Sequence, residues 1–284
     1  GYPSEPTAVF TPPPTIPEGP SQVDAYPSDG EAHVSWVPGR FSSSPITWKV
    51  RLEPGDHLVT AEEGASSAVV GGLVNGAAYS VEVTATNAAG SSAPTPASAR
   101  VVPYGPPSPP ERVTADRGDR SALVRWTPAV TDGREVSSYS VNILGTRTSF
   151  AVPGSATTAR ITGLRNGKSY SFLVTPVVGE VTYWGTVSAP VVPAGAPSRP
   201  LRVGAVARAR SAVVTWRAAD GNGSPVTAYV VATSTGQTTK VAAASRQVVV
   251  RSLRADSATR FRVRALSSVG AGAWSAWSPR VTIR

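Results

Sequence analysis

Ser121-Ala122-Leu123-Val124-Arg125-Trp126 alternates small or apolar residues with others, so that Ala122, Val124 and Trp126 share one face. An alternation of period two over six residues describes a half-buried β-strand. The same pattern occurs as Ala32-His33-Val34-Ser35-Trp36 and as Ala212-Val213-Val214-Thr215-Trp216. Trp36, Trp126 and Trp216 are 90 residues apart, as are Pro20, Pro110 and Pro200, and Val23, Val113 and Val203. Self-similarity at a fixed period marks the chain as an array of one unit. The period is that of a domain, so each copy can bury its own core.

Outward from Trp126 the middle unit continues in short alternating runs. Val136 to Leu144 places Tyr139, Val141 and Ile143 at period two. Ala159-Arg160-Ile161-Thr162-Gly163-Leu164 leads through Asn166-Gly167 into Tyr170-Ser171-Phe172-Leu173-Val174, and Val187 to Val192 reads as a last strand. Turn residues interrupt these runs, and no stretch has a 3.6-residue period. This pattern predicts an all-β chain of antiparallel sandwiches. The first unit repeats it through Trp48-Lys49-Val50 and the run Leu73 to Val83, and the third through Tyr229-Val230-Val231 and Leu253 to Ala265.

A Trp on the second strand, then a Leu followed six residues later by Tyr-x-apolar-x-Val, resembles the fibronectin type III domain. Leu73–Tyr79 and Leu164–Tyr170 resemble that family's tyrosine corner, which implies that each Tyr hydroxyl ties the crossing to nearby backbone. In the third unit Thr259 stands at the corner position, so the corner bond is not expected there, while Phe261, Val263 and Ala265 keep the inward alternation. The resemblance covers residues 20–284. The expected organisation is a Pro-rich segment 1–19 and modules 20–104, 105–194 and 195–284. Val102-Pro103-Tyr104-Gly105-Pro106-Pro107 and Val192-Pro193-Ala194-Gly195-Ala196-Pro197 form short Pro-rich joints. Such joints are stiff, and three modules in line predict an extended rod on the order of 100 Å. Val9-Phe10 is the best apolar anchor in the leading segment.

The 284 residues contain no Cys and no Met. Disulfides, thiolate catalysis and Cys-based metal sites are thereby excluded. The missing Met suggests that Gly1 is a cut point rather than a translation start. No apolar run reaches the roughly 18 residues of a membrane span, and no signal peptide is visible. Lys occurs only at Lys49, Lys168 and Lys240. Arg in place of Lys, with much Ala, Val, Gly and Pro, is the composition of a GC-rich bacterial, actinobacterial-looking genome. The net charge of +9 is unevenly spread. Residues 1–104 carry four basic and ten acidic side chains, 105–194 nine and six, and 195–284 fourteen and two.

Candidate sites are few. His33 and His57 are the only histidines, and His33 points to the outer face of its strand. No nucleophile elbow occurs. The Gly163–Ser169 stretch resembles a phosphate-binding loop but has three residues between its glycines where four are needed. Arg117-Gly118-Asp119 spells the integrin-binding tripeptide, in a turn that favours Gly and Asp anyway. Asn222-Gly223-Ser224 is an N-glycosylation triplet, expected to be unused. Trp274-Ser275-Ala276-Trp277-Ser278 resembles the WSxWS box of cytokine-receptor fibronectin-like modules. That resemblance implies a cation–π ladder with Arg260, Arg262 and Arg264 of the preceding strand. These five Trp and Arg residues, with Tyr183 and Trp184 of the second unit, are the candidate partner-binding residues, since exposed Trp and Arg are frequent hot spots.

No catalytic, cofactor or metal site is expected. The reading is a secreted or cell-surface, non-catalytic element serving as spacer, adhesion or protein-interaction module. Its expected partner is a protein or an anionic cell-surface polymer, with no specific nucleic acid. The charge gradient also allows head-to-tail self-association, with the leading segment added along a neighbour's sheet edge. Two other readings stay open: a subunit of a surface filament or phage tail, and an accessory region of a secreted polysaccharide-degrading enzyme.

Overall fold

The computed structural model describes residues 13, 15–39, 46–97 and 99–284; Val9 and Phe10 lie outside them. All regular elements among the described residues are β-strands. In the first repeat these are β1 (Gln22–Ser28), β2 (Glu31–Val37), β3 (Thr47–Glu53), β4 (His57–Ala61), β5 (Ser67–Val70), β6 (Ser80–Asn87), β7 (Gly90–Ser91) and β8 (Thr95–Pro96). The second repeat contributes β9 (Glu111–Gly118), β10 (Ser121–Thr127), β11 (Ser138–Ile143), β12 (Ser149–Pro153), β13 (Thr158–Thr162), β14 (Phe172–Val178), β15 (Val181–Thr182) and β16 (Thr186–Val187). The third has β17 (Leu201–Arg208), β18 (Ser211–Arg217), β19 (Val226–Thr233), β20 (Thr238–Ala242), β21 (Gln247–Arg251), β22 (Ala258–Thr259), β23 (Phe261–Ser267), β24 (Gly270–Ala271) and β25 (Val281–Thr282).

Each repeat closes as two antiparallel sheets. In the first, β1-β2-β5 faces β4-β3-β6, with β7 and β8 both on β6. In the second, β9-β10-β13 accompanies β12-β11-β14, with β16 on β14. In the third, β17-β18-β21 accompanies β20-β19-β23-β24. By compactness the chain falls into two units. One joins the described residues up to Ser108 with Ala129–Ser137 and Val178–Tyr183; the other takes Pro109–Pro128, Ser138–Val177 and Trp184–Arg284.

The cores follow from alternation. Trp36, Trp126 and Trp216 are buried, and each ring packs on an aromatic residue of the next strand. Trp36 and Trp48 have centroids 5.6 Å apart, Trp126 and Tyr139 5.4 Å, and Trp216 and Tyr229 5.4 Å. Tilted aromatic pairs at such separations are favourable beyond the area they bury. Val34, Val50, Val81 and Val83 fill the space around Trp36, and Val214, Val231, Phe261 and Val263 do so around Trp216.

The corner tyrosines close the first two sandwiches. The Val74 amide donates to the Tyr79 hydroxyl oxygen at 3.0 Å, and the Arg165 amide donates to that of Tyr170 at 3.0 Å. Among the described residues Thr259 accepts no backbone amide from the turn before it; its hydroxyl lies 3.5 Å from Ser257 Oγ. The third repeat keeps the backbone pairing found at this level in the others, Thr259 opposite Val281 in β22 and β25 as Tyr79 is opposite Val101 and Tyr170 opposite Val191, and buries Ile283 completely.

Two expected strands are shorter than the sequence suggests. The run from Val136 begins its strand only at Ser138, and Val187–Val192 pairs only at Val187, in β16, and at Val191, in an isolated bridge to Tyr170. Ser188 is the cause: its amide donates to the Phe172 carbonyl at 2.8 Å, but the Phe172 amide donates to the Ser188 hydroxyl at 3.0 Å. The hydroxyl takes the place of a backbone carbonyl, and Pro190, which lacks an N–H, interrupts the ladder until Val191 pairs again with Tyr170.

Trp126→Ala is expected to cost about 3–5 kcal/mol, as large-to-small core changes do. In chemical denaturation followed by fluorescence, the transition of the second repeat should shift while those of the first and third stay in place.

Candidate functional site

The last strands of the third repeat carry the densest aromatic and cationic cluster. Phe261, Val263 and Ala265 are buried in β23, so Arg262 and Arg264 must project from its other face. The chain after β24 runs beside β23 without forming a regular strand. Two serines hold it there. The Ser275 amide donates to the Val263 carbonyl at 2.8 Å while the Val263 amide donates to Ser275 Oγ at 2.9 Å. Ser278 does the same with Phe261, at 2.7 Å and 3.1 Å. This anchoring places both indoles over the arginines. The Arg262 guanidinium lies 4.5 Å from the Trp274 ring centroid and 4.7 Å from that of Trp277, and Arg264 lies 4.6 Å from Trp274. Nε of Arg262 and of Arg264 is buried without a hydrogen-bond acceptor, so the indole faces supply the compensating electrostatics.

The ladder therefore takes up Arg262, Arg264, Trp274 and Trp277, and it omits Arg260. Arg260 is exposed, and its amide donates to Ser234 Oγ. The outer rim of Trp277, with Arg199, Leu201, Arg202 and Ala276, lines a groove of about 320 Å³. Tyr183 and Trp184 belong to the second repeat and take no part in this cluster. Tyr183 is half-buried, and Trp184 is 84% exposed.

A second set of polar residues occupies the joints. Asn75 Nδ2 donates to Asp29 Oδ1 and to Asp132 Oδ2, both at 2.8 Å, while Asn75 Oδ1 accepts from the Gly30 amide at 2.9 Å. The Gly76 amide donates to the Pro103 carbonyl, and Arg134 stacks on Tyr104 at 3.8 Å. The next joint repeats the arrangement. Asn166 Nδ2 donates to Asp119 Oδ1 at 2.7 Å and to Asn222 Oδ1 at 2.8 Å, and Asn166 Oδ1 accepts from the Arg120 amide at 2.8 Å. Gly133 and Gly223 have φ of 90° and 89°, and a Cβ on either would strike the Pro103 or Pro193 carbonyl at 2.7 or 2.5 Å. Only glycine fits there. In the third repeat the matching positions are Ala209 and Ala255, which have no amide or carboxylate to offer.

These joints account for two of the motifs. Asp119 of the Arg-Gly-Asp triplet accepts from Asn166, and Arg117 donates to Ser268 Oγ at 3.3 Å. Asn222 of the glycosylation triplet accepts from Asn166 and donates to the Ala196 carbonyl at 3.1 Å. The Gly163–Ser169 stretch is a turn into the corner at Tyr170. Reading by strands missed the joint residues, although Asp29 and Asp119, and Asp132 and Asn222, share the 90-residue spacing.

The histidines do not converge on one site. His33 is exposed with Nε2 3.9 Å from Glu31, and His57 stands edge-on to Tyr79 at 5.7 Å. Among the described residues, no group of three or more His, Cys, Asp and Glu could hold a metal ion, and no helix is long and apolar enough to cross a membrane.

Asn75→Ala should remove the bonds to Gly30, Asp29 and Asp132 together. Amide exchange at Gly30 is expected to accelerate by about tenfold, the equivalent of one net hydrogen bond, while Val50 and Val83 stay protected. Arg262→Ala, which loses two ring contacts, should destabilise the third repeat by about 1–3 kcal/mol and change tryptophan emission in the folded state.

Comparison with known proteins agrees with this architecture. The chain is similar to Contactin-4 of Rattus norvegicus and of Homo sapiens, at 34% identity over 106 residues in each case. That segment is 37% of this chain, and the chain spans only 10% of the length of these relatives. A crystal structure of the chicken CNTN1 FN1–FN3 domains is similar over 92% of this chain and 98% of that one, at 17% identity and a TM-score of 0.33. The fibronectin type III domain model matches residues 17–101, 108–193 and 195–281. Three such matches cover most of the sequence, and the chain belongs to the fibronectin type III family.

Proposed function

We propose that this chain is a non-catalytic extracellular interaction element, in which fibronectin type III repeats carry binding surfaces of opposite charge. One observation carries the reading. The third repeat has fourteen basic and two acidic side chains, the first four and eight. Arg208, Arg217, Arg251, Arg254 and Arg280 are exposed, and none has a carboxylate within ion-pairing distance among the described residues. A surface left uncompensated in this way attracts an anionic partner, whether an acidic protein or an anionic cell-surface polymer. Serving as a spacer needs no such imbalance. The Trp–Arg ladder supports the same reading differently: it stiffens the edge on which the Trp277 rim is displayed. The candidate binding residues are Arg260 and that rim, with Arg262 and Arg264 as their support.

Attraction between exposed charges is screened within about 8 Å at physiological ionic strength. Retention of the full chain on immobilised lipoteichoic acid and on polyglutamate is therefore expected to fall steeply between low and high salt. Arg254→Glu with Arg260→Glu should weaken it several-fold and leave the thermal unfolding unchanged. Retention that is independent of salt and of both substitutions would overturn the proposal.

A further inference from the structure

The outer faces of the β1-β2-β5 and β17-β18-β21 sheets differ from that of the sheet between them in sequence. On the third repeat, Val206 pairs with Val213 and Val213 with Val249. All three point away from a core that takes Ala212, Val214 and Val250. They form an apolar row across three strands, about 10 Å long, in which Val206 is 66% and Val249 38% exposed. The adjacent row is Arg208, Ser211 and Arg251. On the other side, beyond Gly204, Thr215 and Gln247, stands Arg217. Cations thus flank the apolar row on both sides.

The first repeat has the counterpart at the same positions. Tyr26 pairs with His33 and His33 with Val69, again on the outer face. Tyr26 is 63% and Val69 46% exposed. Here the flanking rows hold Asp24 on one side and Glu31 on the other. Neither carboxylate meets an arginine or lysine among the described residues: Asp24 accepts from Gln22, and Glu31 approaches His33. The corresponding row of the second repeat is Asp116, Leu123 and Arg160, with Asp116 paired to Arg125 at 3.2 Å. On that face the one carboxylate of the row is already taken by Arg125, Arg160 donates to Ser121 Oγ, and there is no apolar row.

We infer that the outer face of β17-β18-β21 docks on the outer face of β1-β2-β5 in a second copy of this chain. The inference rests on reading the chain as an interaction element and names one partner for it. The valine row and the Tyr26–His33–Val69 row of equal position meet at the centre, where Tyr26 and Val69 supply the apolar surface, and each row is bordered by charge opposite to that of its partner. The acidic rows lie on both sides of Tyr26–His33–Val69, so either antiparallel or parallel superposition of the sheets sets Arg208 and Arg251 over a carboxylate row. The contact joins two different surfaces. It therefore leaves a free donor and a free acceptor face on every pair, and association continues beyond the dimer unless a ring closes.

Sedimentation velocity on the full chain, over a concentration series at low and high salt, tests this. The expected result is concentration-dependent association at low salt that weakens at high salt. Arg208→Glu with Arg251→Glu, and separately Asp24→Arg with Glu31→Arg, should each weaken it by about tenfold or more. The four substitutions combined restore opposite charges and should recover most of the association. Val206→Ser, on an exposed position, should weaken it without altering the salt dependence. A chain that stays monomeric at low salt and high concentration overturns the inference, as does association that neither pair changes or that the combined variant does not recover. Retention on lipoteichoic acid or polyglutamate by such a monomer would leave the proposed function standing and remove only this interface.

Discussion

The buried indole of the second strand, stacked on an aromatic ring of the third, is the contact on which each sandwich depends. The two rings belong to opposite sheets, so their packing sets how the sheets face one another and which residues of every other strand point inward. The pair is Trp–Trp in the first repeat and Trp–Tyr in the others, with ring centroids 5.4 to 5.6 Å apart and tilted in all three. With the inward set fixed by this contact, the outward set of each repeat is free to vary. The variation is large: acidic and aromatic in the first, an internally paired Asp116–Arg125 in the second, arginine-bordered valine in the third.

The fold was legible because it is written in period two. Ala122, Val124 and Trp126 announce their strand without help from the rest of the chain, and the 90-residue recurrence multiplies the signal. The shortened strands were not legible, because Ser188 looks like any exposed strand residue until its hydroxyl is seen to accept the Phe172 amide. The corner was read correctly at Tyr79 and Tyr170 and its loss at Thr259 was visible; the backbone pairing beside it, which all three repeats share, was not.

The site was legible in part. Arg262 and Arg264 could be placed on an outward face by alternation, and Trp274 and Trp277 beside them only through the resemblance to the WSxWS box. Arg260 shares that alternation but precedes β23, and past Trp277 the neighbouring chain continues with Pro279 and Arg280 rather than another indole. The joints escaped notice because Asn75-Gly76 and Asn166-Gly167 are ordinary turn dipeptides. Their meaning depends on an acceptor about 56 residues further along the chain, 57 for Asn75 and 56 for Asn166.

Those joints also constrain how the repeats could be shuffled. The asparagine sits on the trailing turn of one repeat and its acceptor on the leading loop of the next, so the matching code lies outside the core. Repeats one and two carry interchangeable donors, and Asp132 and Asn222 are interchangeable acceptors; a duplicated second repeat would find its bonds ready-made. The third repeat, with Ala209 and Ala255, could receive a predecessor but could not clamp a successor in this way. The order of the array is thus written into four turns, and a rearranged gene that moved the third repeat forward would yield three sound sandwiches and one loose seam.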